Sequence, residues 1–168
     1  MQAFTGGYAG RILSIDLSTG AVEETPTASY SHLFLGGRGI AAKIYWDEVP
    51  PDISPFDPRN RLIFITGPVT ATTGFCGSRW QVCGKSPLHN PSSYGNLGGN
   101  WGAQLKRAGY DGLVVSGQAV VTVGNDDFTV EPGDCLHYSA KLEHTAQFTG
   151  RGRNKALWVK VLPGAIRW

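Results

Sequence analysis

The chain has 168 residues, of which 41% are hydrophobic and 17% charged, so it contains enough apolar surface for a globular core. Fifteen Lys and Arg against thirteen Asp and Glu leave a net charge of +2 with no run of like charges, which argues against a general nucleic-acid-binding surface. Three cysteines without CxxC spacing exclude a disulfide framework and an obvious zinc or iron–sulfur site, which indicates a reducing compartment. The sequence shows neither a leader pattern nor an apolar run near the ~20 residues that cross a bilayer, so we expect a cytoplasmic protein.

Local patterns predict the first elements of the chain. Two β-prone runs, at residues 11–17 and 21–25, are separated by a Gly-containing turn and are typical of a β-hairpin. Ser29 or Ser31 is expected to cap a short helix that carries the apolar residues 33–35.

Helix and strand signals then alternate along the chain. Apolar residues recur at helical spacing over residues 40–49, and a compact apolar run at residues 62–65 is typical of a buried strand. Residues 102–108 predict a further helix, and the glycine that follows stands where a left-handed C-terminal cap is needed. Residues 113–115 predict another strand.

Residues 67–99 form the most informative segment. Its content of Gly, Ser, Asn and Pro predicts mostly loop, because Gly costs backbone entropy and Pro lacks an N–H group, with a short β-compatible piece at residues 79–82. The segment carries two cations, Arg79 and Lys85, among backbone N–H groups that no bulky side chain shields. These are the components of an anion-binding loop.

The residue pattern changes at residue 117, from alternating helix and strand signals to strand signals. Residues 119–130 alternate as in a β-hairpin, and residues 131–134, EPGD, predict a tight turn before further short strands. A tail of ~50 residues is too short to close a barrel alone. We therefore expect it to pack on the first part of the chain or on a second copy.

Six stretches of the first part occur in one order: GRILSIDLSTG, FLGGRGIAAKIYWDEVPPDISPFDPRNRLIFITGPVT, GSRW, KSPL, GNLGG and QLKRAGYDGLVVSG. In this order they resemble the N-terminal domain of the aldehyde ferredoxin oxidoreductase family, the tungsten- and sometimes molybdenum-dependent pterin enzymes. The resemblance runs from residue 9 to about residue 117. Because the pieces are collinear, it is far more specific than one Gly-rich loop.

The resemblance implies a domain that forms the base for a bis-pterin cofactor. In the family, the Arg of the G-[GS]-R segment, the Asn of the N-x-G-G segment and the Gly two residues later contact the pterin; here these are Arg79, Asn96 and Gly98. Arg offers a phosphate a planar fork of donors, and an Asn amide meets both donors and acceptors of a pterin ring. Gly98 and Gly99 allow the backbone to approach a flat ligand. The alternative is that Arg79 lies on the surface and the other three residues only shape a turn.

Two further cations are candidates for binding the cofactor. Lys85 either adds charge near a phosphate or is an exposed loop lysine. Arg38 lies between glycines at a predicted helix start, where backbone N–H groups favour anions, or it pairs with Asp47 or Glu48. The candidate cofactor-binding residues are therefore Arg79, Asn96, Gly98, Gly99, Lys85 and Arg38.

The chain lacks several features of a complete enzyme of this kind. It has no cysteine quartet for an iron–sulfur cluster, and we assign no residue as catalytic or metal-binding. Cys76 and Cys83 are expected to be small buried side chains. The tail from about residue 119 resembles the second half of a cupin domain, with His144 in the motif position and His137 nearby. One imidazole does not hold a catalytic metal, so we expect His144 to pack or hydrogen-bond at a strand end.

These inferences predict an α+β fold, with a mixed β-sheet and short helices over residues 1–117 and an all-β, cupin-like half-barrel over residues 118–168. Two functional classes stay open. In the first, the chain binds tungstopterin or molybdopterin in an aldehyde:ferredoxin oxidoreductase-like enzyme that converts aldehydes to carboxylates. A partner then supplies the iron–sulfur cluster and the catalytic groups, and electrons pass to ferredoxin. In the second, the chain is a non-catalytic ligand-binding module with a vestigial pterin site, which dimerises through its β tail. Neither class involves nucleic acid or a membrane.

Overall fold

A computed structural model describes residues 6–130 and the backbone of residues 144–148. The described residues form two β-sheets and three helices. The helices are α1 (Ala28–Ser31), α2 (Arg38–Glu48) and α3 (Trp101–Arg107). The strands are β1 (Arg11–Asp16), β2 (Val22–Pro26), β3 (Leu62–Thr66), β4 (Trp80–Lys85), β5 (Ser92–Leu97), β6 (Gly112–Ser116), β7 (Ala119–Val123), β8 (Asp126–Val130) and β9 (His144–Phe148). None of the helices in this part of the chain has the length and apolar character needed to cross a membrane.

The larger sheet is mixed and has the strand order β2-β1-β6-β3-β4-β5. Strands β1 and β6 are parallel, and every other neighbouring pair is antiparallel. The predicted hairpin of β1 and β2 is confirmed, as are the predicted strands that became β3 and β6. The α+β class with a mixed sheet and short helices is thereby confirmed.

Helix α2 covers one face of this sheet and builds the main core. Its predicted apolar stripe is confirmed, since Ile40, Ala41 and Ile44 are buried. They pack against five residues of β1, β3, β4 and β6, namely Ile12, Ile63, Ile65, Cys83 and Val114. Full burial of an aliphatic side chain of this size contributes about 1.5–3 kcal/mol, so α2 holds the centre of the sheet firmly.

Helix α3 and an aromatic cluster cover the opposite face. The rings of Trp80 and Trp101 lie 4.3 Å apart between centroids, and Phe64 lies 5.5 Å from Trp101. Gly102 permits this approach, because a Cβ atom there would lie 3.2 Å from the Trp80 ring. The helix ends at Arg107, with Ala108 as its C-cap, and the φ of +93° at Gly109 confirms the predicted left-handed cap.

The prediction that residues 67–99 are mostly loop is wrong for two strands. β4 continues to Lys85, and β5 pairs with β4 along its whole length. Apart from Leu97, the residues of β5 are polar or glycine, and most are exposed, because β5 is the edge strand of the larger sheet. Its order comes from pairing with β4 rather than from burial of an apolar face, so no apolar alternation marks it in the sequence.

The first helix is also displaced from its predicted position. α1 follows Thr27 and ends at Ser31, so the apolar residues 33–35 lie beyond it, and neither Ser29 nor Ser31 caps it. Thr27 is buried and its hydroxyl donates a hydrogen bond to the Asp111 carboxylate at 2.6 Å. This tertiary contact fixes where the chain leaves β2 and turns into the helix.

The smaller sheet contains three antiparallel strands in the order β8-β7-β9. The predicted hairpin over residues 119–130 is confirmed as β7 and β8, and the backbone of His144 pairs with Val123 at the start of β9. The predicted turn at residues 131–134 and the vicinity of His137 lie outside the described residues. Three antiparallel strands occur in many β folds, so the cupin-like half-barrel stays a prediction.

Candidate functional site

A cavity of about 240 Å³ opens where β3 ends, β4 begins and α2 starts. The loop after β3 and the glycine turn before α2 form its walls. The lining residues are Leu35, Gly36, Gly37, Ile65, Gly67, Pro68, Arg79, Trp80 and Gln81. Among these described lining residues Arg79 is the only charged one, so the cavity has a local positive charge.

The glycine turn before α2 shapes one wall of this cavity. Gly36 has a φ of +143°, and a Cβ atom there would lie 3.1 Å from Cδ of Pro68. Gly37 has a φ of +50°, and its N–H donates to the Thr66 carbonyl at 2.9 Å. Because the N-cap residue is Gly37, no side chain caps the first turn of the 11-residue helix α2. The partial positive charge of the helix N-terminus is therefore unshielded beside the cavity.

The loop over residues 67–79 positions Arg79. The buried Thr70 hydroxyl donates to the Arg79 carbonyl at 2.9 Å and accepts from the Gly67 N–H at 3.3 Å. Gly77 keeps the loop tight, because a Cβ atom there would lie 2.5 Å from the Val69 carbonyl oxygen. The backbone of Arg79 is thus held while its side chain stays exposed beside the cavity.

Arg38 is the first residue of α2 and lies over the edge strand. Its guanidinium carbon is 3.5 Å from the centre of the Tyr94 ring, a cation–π contact. The predicted alternative, an ion pair of Arg38 with Asp47 or Glu48, is wrong, since each of these carboxylates pairs with another cation. The Arg38 cation therefore stays near the start of the helix.

Asn96 and Gln81 form a cross-strand pair. The register of β4 and β5 places them opposite each other, and the Gln81 amide nitrogen donates to the Asn96 side-chain oxygen. The side-chain oxygen of Gln81 is buried. Among the described residues it is the only buried side-chain nitrogen or oxygen atom without a hydrogen-bond partner. The sequence prediction missed Gln81, because its pairing with Asn96 follows from a strand, β5, that was not predicted.

Gly98 and Gly99 follow directly after β5. The Trp80 indole N–H donates to the Gly98 carbonyl at 3.0 Å. Trp80 pairs with Leu97, so Arg79 directly precedes and Gly98 directly follows the last pair of β4 and β5. A Cβ atom added at Gly98 or Gly99 would meet nothing within 4 Å, so open space lies above both glycines.

Lys85 lies apart from the other predicted residues. It ends β4, six residues from Arg79, which corresponds to roughly 20 Å at about 3.3 Å per residue. Lys85 as a whole is 7% exposed, and its ammonium donates to the Pro51 carbonyl at 2.7 Å. Arg79 lines the cavity, and Asn96, Gly98 and Gly99 lie at the adjacent end of β5, whereas Lys85 lies at the opposite end of β4. The prediction of an exposed loop lysine is also wrong, since Lys85 is buried at the end of a strand.

The two described cysteines differ in their surroundings. Cys83 is buried as predicted, and burial raises the pKa of its thiol to about 11 despite the opposing effect of Arg38. Cys76 is exposed, so the prediction of a buried side chain is wrong for it. Within the described residues no group of three or more His, Cys, Asp and Glu side chains is arranged to hold a metal ion.

Comparison with known proteins identifies the family of this chain. Residues 12–156 match the family model described as aldehyde ferredoxin oxidoreductase, N-terminal domain, a match that crosses the predicted boundary at residue 117. A tungsten-containing aldehyde ferredoxin oxidoreductase of Pyrococcus horikoshii is 44% identical over 139 residues, 81% of this chain and 23% of the relative. That of Pyrococcus furiosus is 40% identical over 138 residues, 80% of this chain and 23% of the relative. The chain thus spans less than a quarter of the length of these relatives.

A more distant relative and a solved structure match over similar lengths. The aliphatic sulfonate oxidoreductase, WOR-like subunit, of Pyrococcus furiosus is 33% identical over 78% of this chain and 22% of the relative. The active-site complex BamBC of benzoyl coenzyme A reductase, solved with 1,5-dienoyl-CoA, aligns with a TM-score of 0.65 and 34% identity over 74% of this chain and 20% of that chain. The family model covers well over half of the residues. This chain belongs to the aldehyde ferredoxin oxidoreductase family and carries the N-terminal domain of that family.

Proposed function

We propose that this domain binds the phosphorylated pterin of a tungsten or molybdenum cofactor, within an enzyme of the aldehyde:ferredoxin oxidoreductase type. The observation that carries the proposal is the meeting of Arg79, Asn96, Gly98 and the N-terminus of α2 at one end of the sheet. Arg79 and the N-terminus of α2 attract an anion. Asn96 and Gly98 suit a flat heterocycle. The tungsten-containing relatives support the metal, and a pair of pterins on one metal is the form of the cofactor we propose.

Each residue has a distinct role in this proposal. Arg79 holds the phosphate through two parallel charge-assisted hydrogen bonds, each stronger than a neutral one. The unshielded N-terminus of α2 and the Arg38 guanidinium add positive charge beside it. The Asn96 amide faces the polar edge of the ring, and the open space above Gly98 and Gly99 receives its flat face.

The residues of this domain suit binding of the cofactor, but we assign none of them a catalytic role. The glycine-lined cavity accepts a ligand group, and the unpartnered oxygen of Gln81 leaves a hydrogen bond to be made. When bound, the metal centre supplies the two-electron oxidation of an aldehyde, RCHO + H₂O → RCOO⁻ + 3H⁺ + 2e⁻. Further residues or a partner chain supply the catalytic groups and the iron–sulfur cluster, and ferredoxin accepts the electrons. We propose that this enzyme works in the cytoplasm.

Cofactor retention by purified protein tests the proposal. The protein is isolated anaerobically from cells supplied with tungstate and molybdate, and metal and pterin are measured by mass spectrometry. We expect pterin with W or Mo in the wild-type chain and at least a tenfold loss in Arg79→Ala, because a hydrogen bond to a charged group contributes about 1.5–3 kcal/mol. The matched variant Arg107→Ala removes an exposed arginine at the end of α3 and should retain the cofactor. Folded wild-type protein without pterin would overturn the proposal.

A second candidate function is a dimerising, non-catalytic module with a cupin-like tail. The observation that favours it is β8, which lies at the edge of the smaller sheet within the described residues and is exposed along most of its length. Such an edge offers unpaired backbone groups to a second strand. Light scattering of the purified chain tests this candidate, since it requires a dimer, and a monomer at micromolar concentration excludes it.

A further inference from the structure

The buried side-chain oxygen of Gln81 is not accounted for by the fold. Its nitrogen bonds to Asn96, but its oxygen is shielded from solvent and, within the described residues, is the only buried side-chain polar atom without a partner. A buried polar group left unpaired costs about 1–3 kcal/mol, so native proteins rarely keep one without a reason.

The position of Gln81 links this unpaired group to the cavity. Gln81 is one of the lining residues, and its Cγ lies 3.7 Å from the place of a Cβ atom at Gly37, so the side chain runs beneath the glycine turn. It is the second residue of β4 and follows Arg79, which directly precedes that strand, by two residues. A ligand whose phosphate is held by Arg79 therefore has its remaining polar groups close to the Gln81 side chain.

The two amides can also adjust to a ligand together. If Gln81 and Asn96 both rotate by 180° about their terminal bonds, their mutual hydrogen bond is kept with donor and acceptor exchanged. The unpaired group of Gln81 is then an N–H donor instead of a carbonyl acceptor. The pair can therefore meet either a donor or an acceptor on the edge of a heterocycle.

We propose that Gln81 is a further binding residue of this site, whose amide hydrogen-bonds the polar edge of the pterin ring. The inference rests on the proposed function, because it assigns a role within the same cavity. It predicts that Gln81 contributes to recognition of the ring and not of the phosphate. It also predicts that the unliganded protein carries glutamine at this position at a cost in stability.

Binding of two probes by the full chain separates ring recognition from phosphate recognition. The probes are neopterin monophosphate, followed by its fluorescence, and inorganic phosphate, followed by competition with that signal. Gln81→Met keeps the length of the side chain and should weaken the pterin probe about fivefold to tenfold, the equivalent of one neutral hydrogen bond, with phosphate affinity unchanged. Gln81→Leu provides a second variant, and Gln104→Met on the exposed side of α3 is the matched control with wild-type affinity.

The melting temperature of the unliganded variants gives an independent readout. If Gln81 serves the ligand, Gln81→Met melts at or above the wild-type temperature, because an unpaired buried polar group is removed. If Gln81 serves the fold, the variant melts lower and binds as tightly as the wild type, which overturns the inference. When wild-type protein binds the pterin probe and Arg79→Ala does not, unchanged binding by Gln81→Met overturns this inference alone. Failure of the wild-type chain to bind either probe overturns the proposed function and this inference with it.

Discussion

The buried carboxylate of Asp111 allows the stability of the domain to be tested quantitatively. It is 2% exposed and accepts four hydrogen bonds: from the backbone N–H groups of Ala9 and Gly10, from the Thr27 hydroxyl and from the Lys106 ammonium at 2.7 Å. Burial alone raises the pKa of the Asp111 carboxyl, but the four hydrogen bonds outweigh it, so the pKa lies below its ordinary value of 3.8. This carboxylate ties the N-terminal segment to α1, α3 and β6.

Replacing Asp111 by alanine should therefore be severe. The Lys106 ammonium would remain buried, with a side chain that is 6% exposed, and would lose its charge partner. Removing one partner of a buried ion pair costs about 3–5 kcal/mol. For a chain of this length each kcal/mol lowers the melting temperature by about 2–4 °C, so we expect a fall of roughly 6–20 °C.

Urea unfolding followed by tryptophan fluorescence measures this loss. The matched control is Asp47→Ala, which breaks the exposed i,i+4 pair with Lys43 and should change the free energy of unfolding by no more than about 0.5 kcal/mol. If Asp111→Ala loses less than about 1 kcal/mol, or no more than Asp47→Ala, the carboxylate does not tie these elements together.

Three further outcomes are expected from Asp111, from the glycines and from the cysteines. Because folding lowers the pKa of Asp111, its stabilisation is complete above about pH 5 and is lost as the pH falls below about 4, so Asp111→Asn should flatten the acid limb of a stability profile. Gly36→Ala should cost about 1–3 kcal/mol in urea unfolding, since its φ of +143° and tight surroundings exclude a side chain, whereas Gly98→Ala should cost less than about 0.5 kcal/mol. Brief treatment of the native protein with iodoacetamide should label Cys76 and leave Cys83 unlabelled, as peptide mapping would show, because the Cys83 thiol is buried and stays protonated at neutral pH.

The elements that the sequence predicted correctly are those with a strong local pattern. In α2, the spacing of Ile40 and Ile44 marks a buried helical stripe, and the hairpin of β1 and β2 is marked by two β-prone runs around a turn. The edge strand β5 has no such pattern, because Ser92 and Ser93 are exposed and Gly95 carries no side chain. Its existence depends on β4 beside it, which a local pattern does not contain.

In the candidate site, too, some residues could be predicted from the sequence and others could not. The family resemblance singled out Arg79 and Asn96, and the fold places Arg79 just before β4 and Asn96 near the adjacent end of β5. Lys85 is equally cationic and lies in the same segment, yet the strand between it and Arg79 carries it away. Gln81 was not predicted, because its unpaired oxygen becomes apparent only when the register of β4 and β5 and the packing under Gly37 are known.

Mapping where a phosphorylated pterin binds tests directly whether the cavity beside Arg79 is the cofactor site. Backbone amide shifts of the ¹⁵N-labelled chain are recorded by nuclear magnetic resonance as neopterin monophosphate is added, with Arg79→Ala as the control. We expect saturable shifts confined to residues 36–39, 67–70, 79–81 and 96–99, which disappear in the variant. Shifts centred on β7 and β8, or saturable shifts that persist unchanged in Arg79→Ala, would contradict the claim that this cavity is the cofactor site.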